Sequence, residues 1–537
     1  MKSGTKSKPN RRRFLRQFTA LLATSTLWSA CENAARRIAA RFTGAPASLG
    51  HRLLTQDFPP VSQEERVKIL IIGGGIAGLS ACRALVKKGE KDIVLLEMDQ
   101  RIGGNSTWSE NAYTAYPLGA HYLPLPNQHD AALLEFLREE NIITGFEGTG
   151  EPIFEETYLA AAPQARLYIR DHWQEGLIPS YGVSAGNQAQ IQAFFQKMET
   201  FKQLRGADGK YIFDIPIRHA SLDATYQALD QMTMANWLQK EGYTAPELLE
   251  HLNYCCLDDF GMGIERVSAW AGIHYFAARK SDQDNVLTWP EGNGFLVKCL
   301  EKYANERLRK QHLAYELKLE PSGVAVKVYD AAQNKSVLFR ADKVILATPQ
   351  FVNKRLLPTH PLDLTRFHYA PWLVATLVLR DLPSSSGMPL CWDNVIFQGK
   401  GLGYINTLHQ TLAQQHPRHV ITYYCAFDSP DLPALRRELF QKDLSHWQEF
   451  VLDDLRKAHP GIETLLEQID IQRWGHGMIS PVPGFIFGTT LAQARQTLGG
   501  RIFLANSDLS GMSLFEEAFH QGLEAARLCL GHAADQH

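Results

Sequence analysis

No C-x-x-C pair occurs in the chain, although it holds eight cysteines. Cys31, Cys82, Cys255, Cys256, Cys299, Cys391, Cys425 and Cys529 are scattered, which argues against a zinc site or a redox dithiol. The adjacent Cys255 and Cys256 read as two helix or loop thiols with no special role. Long apolar runs are also missing. None reaches 18 residues, so no transmembrane helix is expected. The net charge of −2 lacks the basic field that a nucleic-acid-coating protein needs. A hydrophobic share of 45% with 21% charged residues fits a soluble globular protein. At 537 residues the chain is too long for one compact core, and two domains are expected.

What is present is concentrated in residues 67 to 104. Val67 to Ile72 is a short apolar run with the pattern of a strand buried on both faces. Gly73, Gly75 and Gly78 follow at G-x-G-x-x-G spacing. Ala77 to Lys88 reads as a helix with Gly89 at its C-cap, and Ile93 to Leu96 as a second buried strand. Together they make a βαβ unit that binds a dinucleotide. The first glycine allows a tight turn, the second admits a pyrophosphate, and the third lets helix and strand pack closely. Ile76 and Ala77 stand at the helix start, where unpaired N–H groups and the dipole favour an anion. Glu97 lies about 20 residues past the glycines, where an acid accepts from ribose hydroxyls. This motif alone does not separate NAD from FAD.

The next residues do so by resemblance. Glu97, Arg101, Gly103 and Gly104 resemble the E-x-x-x-R-x-G-G extension of the FAD-dependent amine oxidase superfamily, which includes phytoene-desaturase-like and protoporphyrinogen-oxidase-like enzymes. Further segments resemble the same family: Trp289 to Phe295, like its P-x-G-G-N segment but with Glu291-Gly292 in place of one glycine, and the strand Ala341 to Pro349. Near the C-terminus, Arg473 to Gly477 and Pro481 to Gly484 resemble the family's tryptophan and P-x-x-G approach to the flavin. Gly500 to Asp508 resembles its strand ending in an acid, with Asn506-Ser507 where a glycine is usual.

The resemblance implies an α/β fold. A Rossmann-like FAD-binding domain of the GR2 type, discontinuous in sequence (65–126, 285–350, 470–537), carries an inserted α+β substrate domain (127–284, 351–469). It implies that Asp508 meets the ribityl and phosphate part of FAD. Ser510-Gly511-Met512 would lead through Ser513 into a helix whose N–H groups face the flavin's pyrimidine edge. It places His121, within Gly119-Ala120-His121-Tyr122, at the active-site border or in a structural role. Trp474 would pack beside the flavin ring, and His476 is either an acid or base facing the substrate or a packing residue. Many amine oxidases carry a lysine about thirty residues past the central strand. The corresponding stretch here, Trp372 to Leu379, has none, which moves weight toward dehydrogenase or desaturase-like chemistry.

The remaining segments add less. Arg11-Arg12-Arg13-Phe14-Leu15 followed by the modestly apolar Phe18 to Ala30 makes a signal peptide over 1–31 that resembles the twin-arginine export signal. That route carries folded proteins, which suits one that takes up flavin before export to the periplasm or beyond. Trp28-Ser29-Ala30-Cys31 weakly resembles a lipoprotein box, leaving a lipid anchor at Cys31 as an alternative. Residues 32–64 read as a linker. From His129 to Lys280 the pattern is helical, with a capping box at Thr244-Ala245-Pro246-Glu247 and Trp270 and His274 sharing a helix face. Asp258, Asp259 and Glu265 read as a solvated acidic edge in preference to a polyamine-binding site.

The expected activity is an exported FAD-dependent oxidoreductase acting on an amine or amino-acid-like small molecule, with oxygen or an electron carrier as acceptor. A desaturase or dehydrogenase of a nonpolar substrate, and a flavin-bearing binding or assembly protein without turnover, stand as alternatives. An NAD dehydrogenase would leave Arg101, Gly103, Gly104 and Asp508 without a purpose.

Overall fold

The structure is a computed structural model and describes residues 38–44, 47–281, 285–358, 362–383, 385–411, 413 and 415–531. The expected signal peptide, its arginines and Cys31 lie outside the described residues. The chain divides into two compact units, Met1–Ala39 and Ala40–His537, and the elements named below all belong to the second.

The chain visits two sheets in turn. It lays down β1 (Val61–Ile72), α1 (Ile76–Lys87) and β2 (Ile93–Leu96). It then leaves for α2 (Pro246–Phe260) and α3 (Ala269–Ala277), and returns with β3 (Lys335–Leu346). It leaves again for β4 (Tyr369–Leu379), β5 (Asp393–Ile396), β6 (His419–Ala426) and β7 (Leu466–Ile479), and comes back with β8 (Ile502–Leu504) and α4 (Phe515–Cys529). In the first sheet β2, β1, β3 and β8 run parallel, β3 pairing with both β1 and β8. Alternation places Ile69 and Ile71 of β1 in a core with α1 and α4, and Leu70 and Ile72 in a second core with the helical region. Burial on both faces is what the apolar run required. The second sheet runs β7–β4–β6, then Tyr404–Asn406, β5, Ala165–Ile169 and His172–Glu175. It is antiparallel apart from the β5 pairing with Ala165–Ile169.

Several expectations are corrected. The linker holds a short helix, Ala47–Thr55, and β1 begins inside it at Val61. The region 129–280 is not all helical: it includes strands Ile143–Phe146, Pro152–Phe154, Ala165–Ile169 and His172–Glu175. The expected boundary at residue 470 falls within β7, which belongs to the second sheet through its pairing with β4. The strand expected from Ala341 and its upstream partner are one continuous strand, β3. The capping box does not form. The N-cap of α2 is Ala245, with Pro246 at the first turn, and Gln190 Oε1 from another helix accepts from the N–H groups of Thr244 and Ala245. Glu247 is taken by Arg170 and Asn187 instead. Trp270 and His274 do share a face, their rings stacked 5.0 Å apart.

Candidate active site

The dinucleotide cradle comes first. α1 starts at Gly75 with no side-chain cap, so its first N–H groups stay available. Gly73 takes φ +109°, and a Cβ there would meet the Ala347 carbonyl oxygen at 2.7 Å. At Gly78 a Cβ would lie 1.9 Å from the Gly73 carbonyl oxygen. Gly75 and Gly104 face each other: a Cβ on either meets only the other's Cα, at 3.9 and 3.4 Å, with the rest open. Gly103 N–H donates to the Gly74 carbonyl at 2.8 Å, joining the two glycine turns. Glu97 accepts from Gly74 N–H and Asp99 N–H, both at 2.8 Å, which fixes its carboxylate at the turn. Burial pushes its pKa up to about 7 despite those two bonds. Arg101 is exposed at the rim. An uncapped helix, two facing glycines and a fixed acid suit the phosphates and a ribose of FAD.

Two connected chambers open where the sheets meet. The inner one, of about 130 Å³, is bounded on one side by turns and loops at Asn105, Ala120, Asn293 and Ser513. Opposite stand Trp372 and Val374 of β4, Tyr424 of β6 and Trp474 of β7. Segment 289–295 fits tightly against His121: Gly292 has φ +58°, and a Cβ there would lie 2.7 Å from the His121 Cα. The outer chamber, of about 350 Å³, shares His121, Tyr122, Asp258, Asp259, Arg279 and Tyr424 with the inner one and adds Asp393, Trp392 and Tyr254. The residues of β4 that face the inner chamber are a tryptophan and a valine, so the missing lysine is not replaced from that strand.

Electrostatics set this space apart. Asp258 and Asp259 do not form a solvated edge. They end α2 inside the protein, and Asp259 is only 9% exposed. The helix leaves solvent here because its neighbours Cys255, Cys256 and Phe260 are core residues. Tyr122 Oη donates to Asp258 at 3.3 Å, the one side-chain donor to Asp258, Asp259 and Asp393 among the described residues. Asp393 has in addition the backbone N–H of its neighbour Asn394. Burial raises all three pKa values: Asp259 to about 6, Asp393 to about 7, and Asp258 well above the usual range, with repulsion from Asp259 and Asp393 adding to it. Arg279 lines both chambers but is ion-paired with Glu516 at 3.3 Å. His121 stacks on Tyr424, centroids 4.5 Å apart, and burial lowers its pKa to about 4, so the ring is neutral. Three buried polar atoms on residues that line the inner chamber have no partner among the described residues: Tyr424 Oη, Trp372 Nε1 and Asn293 Oδ1.

The structure thus brings together His121, Trp474 and Ser513. Trp474 is held by its Nε1–H donating to the Leu118 carbonyl at 2.7 Å, and Ser513 Oγ accepts from Asn105 Nδ2 at 3.5 Å. It does not bring in His476, which lies outside both chambers, stacked 4.2 Å from Phe351. Asp508 is 3% exposed and its carboxylate accepts from Tyr369 Oη at 2.6 Å and Gln350 N–H at 2.8 Å, so it is engaged within the protein. Asn506 and Ser507, the unusual pair before it, are the half-buried residues of that turn. The sequence reading missed Asp393, Tyr424 and Arg279. The one signal for Asp393 was an acid set between Cys391-Trp392 and Val395-Ile396. No group of three or more metal-ligating side chains occurs among the described residues.

Comparison with known proteins gives the family and the fold. Dimethylglycine dehydrogenase from Rattus norvegicus mitochondria is 36% identical over 110 residues, 20% of this chain and only 13% of that enzyme. Putrescine oxidase bound to putrescine has a similar structure at 15% identity and TM-score 0.58, over 87% of this chain and 100% of the other. Cyclohexylamine oxidase from Brevibacterium oxydans gives 15% identity and TM-score 0.60, over 87% and 99%. A CLA-producing fatty acid isomerase from P. acnes gives 17% and 0.58, over 85% and 97%. At such identities the structures speak for the fold alone. The sequence pattern of the flavin-containing amine oxidoreductases matches residues 76–530, and the chain, an FAD-dependent oxidoreductase, belongs to that family.

Proposed function

We propose that this enzyme oxidises a cationic amine held in the two chambers. One observation carries the reading: Asp258, Asp259 and Asp393 face the cavity with a single side-chain donor among them, while the nearby Arg279 is tied to Glu516. Buried carboxylates without counter-charges are costly, and a bound ammonium group supplies the missing partner. A nonpolar substrate, as for a desaturase, would leave Asp258 and Asp393 without a counter-charge and Asp259 with only Arg279, which Glu516 shares.

Bound FAD supplies the hydride acceptor. The chain supplies the rest. The aspartates bind the ammonium, and two of them titrate near neutrality, at about 6 and about 7, so they are poised to take a proton from it as well. The stacked His121 and Tyr424 and the anchored Trp474 form aromatic walls that orient the substrate and exclude water. His121 helps by staying neutral, since a protonated ring would repel the cation. His476 would act only if it moved into the chamber, and Asp508 would support the flavin site through Tyr369 and Gln350.

Export by the twin-arginine route is part of this reading and is supported by Arg11-Arg12 and Phe14-Leu15. The acceptor is oxygen or an electron carrier. A panel of amines incubated with the holoenzyme and a dye acceptor tests the proposal. Carbonyl product and dye reduction in equal amounts are expected for at least one amine, and their absence for all amines would refute it. Replacing Arg11 and Arg12 by lysine is expected to retain the protein inside the cell.

A further inference from the structure

The outer chamber does not end the cavity system. A third cavity, of about 80 Å³, is lined by Glu250, His251 and Lys400 and shares Leu177, Tyr254 and Leu402 with the outer chamber. It shares no residue with the inner chamber, so the three spaces form a series of vestibule, outer and inner chamber.

α2 runs along this series. Glu250, Tyr254 and Asp258 recur at every fourth position and so lie on one helix face. Glu250 faces the vestibule, Tyr254 the junction, and Asp258 both chambers. At 1.5 Å rise per residue, Glu250 and Asp258 are about 12 Å apart along the helix axis. Glu250 is half-buried, and no hydrogen bond or ion pair engages it among the described residues. The vestibule's own cation, Lys400, is paired with Asp453. His251 is buried and neutral beside Cys255. At the inner end, Asp259 is more than nine-tenths buried without a hydrogen bond, and Tyr424 Oη is an unpartnered hydroxyl on a residue 4% exposed. Polar groups without protein partners among the described residues therefore stand at both ends of this series of adjoining cavities.

We propose that the preferred substrate is an elongated dication whose reacting amine sits by Asp258 and Asp259 and whose second ammonium, about 12 Å away, is held by Glu250. Tyr254 packs against the chain that joins the two charges. The inference rests on the amine reading above and adds a second charge and a length.

The test is dye-linked turnover of α,ω-diamines from 1,4-diaminobutane to 1,10-diaminodecane, each beside the monoamine of equal chain length, with wild-type holoenzyme and Glu250→Gln. The ratio of kcat/KM for diamine over matched monoamine is internal to each preparation, so partial misfolding cannot move it. In the wild type that ratio is expected to reach about tenfold or more near 1,8-diaminooctane, and Glu250→Gln is expected to reduce it about tenfold, with Glu250→Asp keeping part of the preference. A ratio near one, an optimum at 1,4-diaminobutane (which would place the second charge at Asp393), or a ratio unmoved by Glu250→Gln overturns this proposal while amine turnover itself stands. No turnover of any amine overturns the amine reading and this proposal together.

Discussion

Asp259 is the residue on which the site's chemistry turns, because it is buried, lines both chambers and has no hydrogen bond to its side chain among the described residues. Asp259→Asn keeps the shape and removes the charge. It is expected to lower kcat/KM for the best amine by about 10- to 100-fold, the value of one charge-assisted contact in a buried site. The pH dependence follows from the raised pKa values. Carboxyl groups shifted upward by burial are protonated below their pKa and bind a cation only above it. kcat/KM is therefore expected to rise with pH through about 6 and about 7, the values for Asp259 and Asp393, and Asp393→Asn is expected to remove the upper part of that rise. Glu97→Gln tests the cradle: weaker FAD binding by about tenfold is expected in a titration of apoprotein. Glu97 was legible from its distance to the glycines. Asp258 and Asp259 were not, because two adjacent acids look the same in sequence whether a helix end faces water or a cavity; only the packing of Cys255, Cys256 and Phe260 decides it.

Elements carry the contacts that set the cradle. Gly522 of α4 lies against α1, where an added Cβ would meet the Ala77 carbonyl oxygen at 2.2 Å and Ser80 Cβ at 2.9 Å. Gly522→Ala is expected to cost about 1–3 kcal/mol by forcing the helices apart, read as a lower Tm in thermal unfolding and a loss of bound FAD. The βαβ unit was readable because its signals are local: a doubly buried strand, glycines at fixed spacing and a helix of ordinary length. The short strands between residues 143 and 175 were not: they are three to five residues long and pair as local hairpins, and the one contact that ties them into the second sheet, Ala165–Ile169 with β5, joins segments far apart in the chain. The capping box failed for a related reason. Gln190, more than fifty residues away, took over the N–H groups of Thr244 and Ala245.

At the scale of the whole molecule, the reaction space lies at the seam between a sheet whose parallel strands build the cradle and a mostly antiparallel sheet that walls the substrate. The chain crosses this seam several times, so residues distant in sequence, Asn105, Asp258, Tyr424 and Ser513, share one cavity. The first sheet's scattered pieces were visible as separate motifs. The second sheet carried a single motif, Arg473 to Gly477 in β7, and the expected boundary at residue 470 cut through β7 because a strand's sheet membership depends on its partner, β4. The central claim is that this seam delivers a cationic amine to the flavin. The measurement that tests it most directly is anaerobic mixing of the fully loaded holoenzyme with 1,8-diaminooctane and with shorter amines while oxidised-flavin absorbance is recorded. Rapid, saturable loss of that absorbance, slowed in Asp259→Asn, is the predicted result. Unchanged absorbance with every amine at full FAD occupancy would contradict the claim.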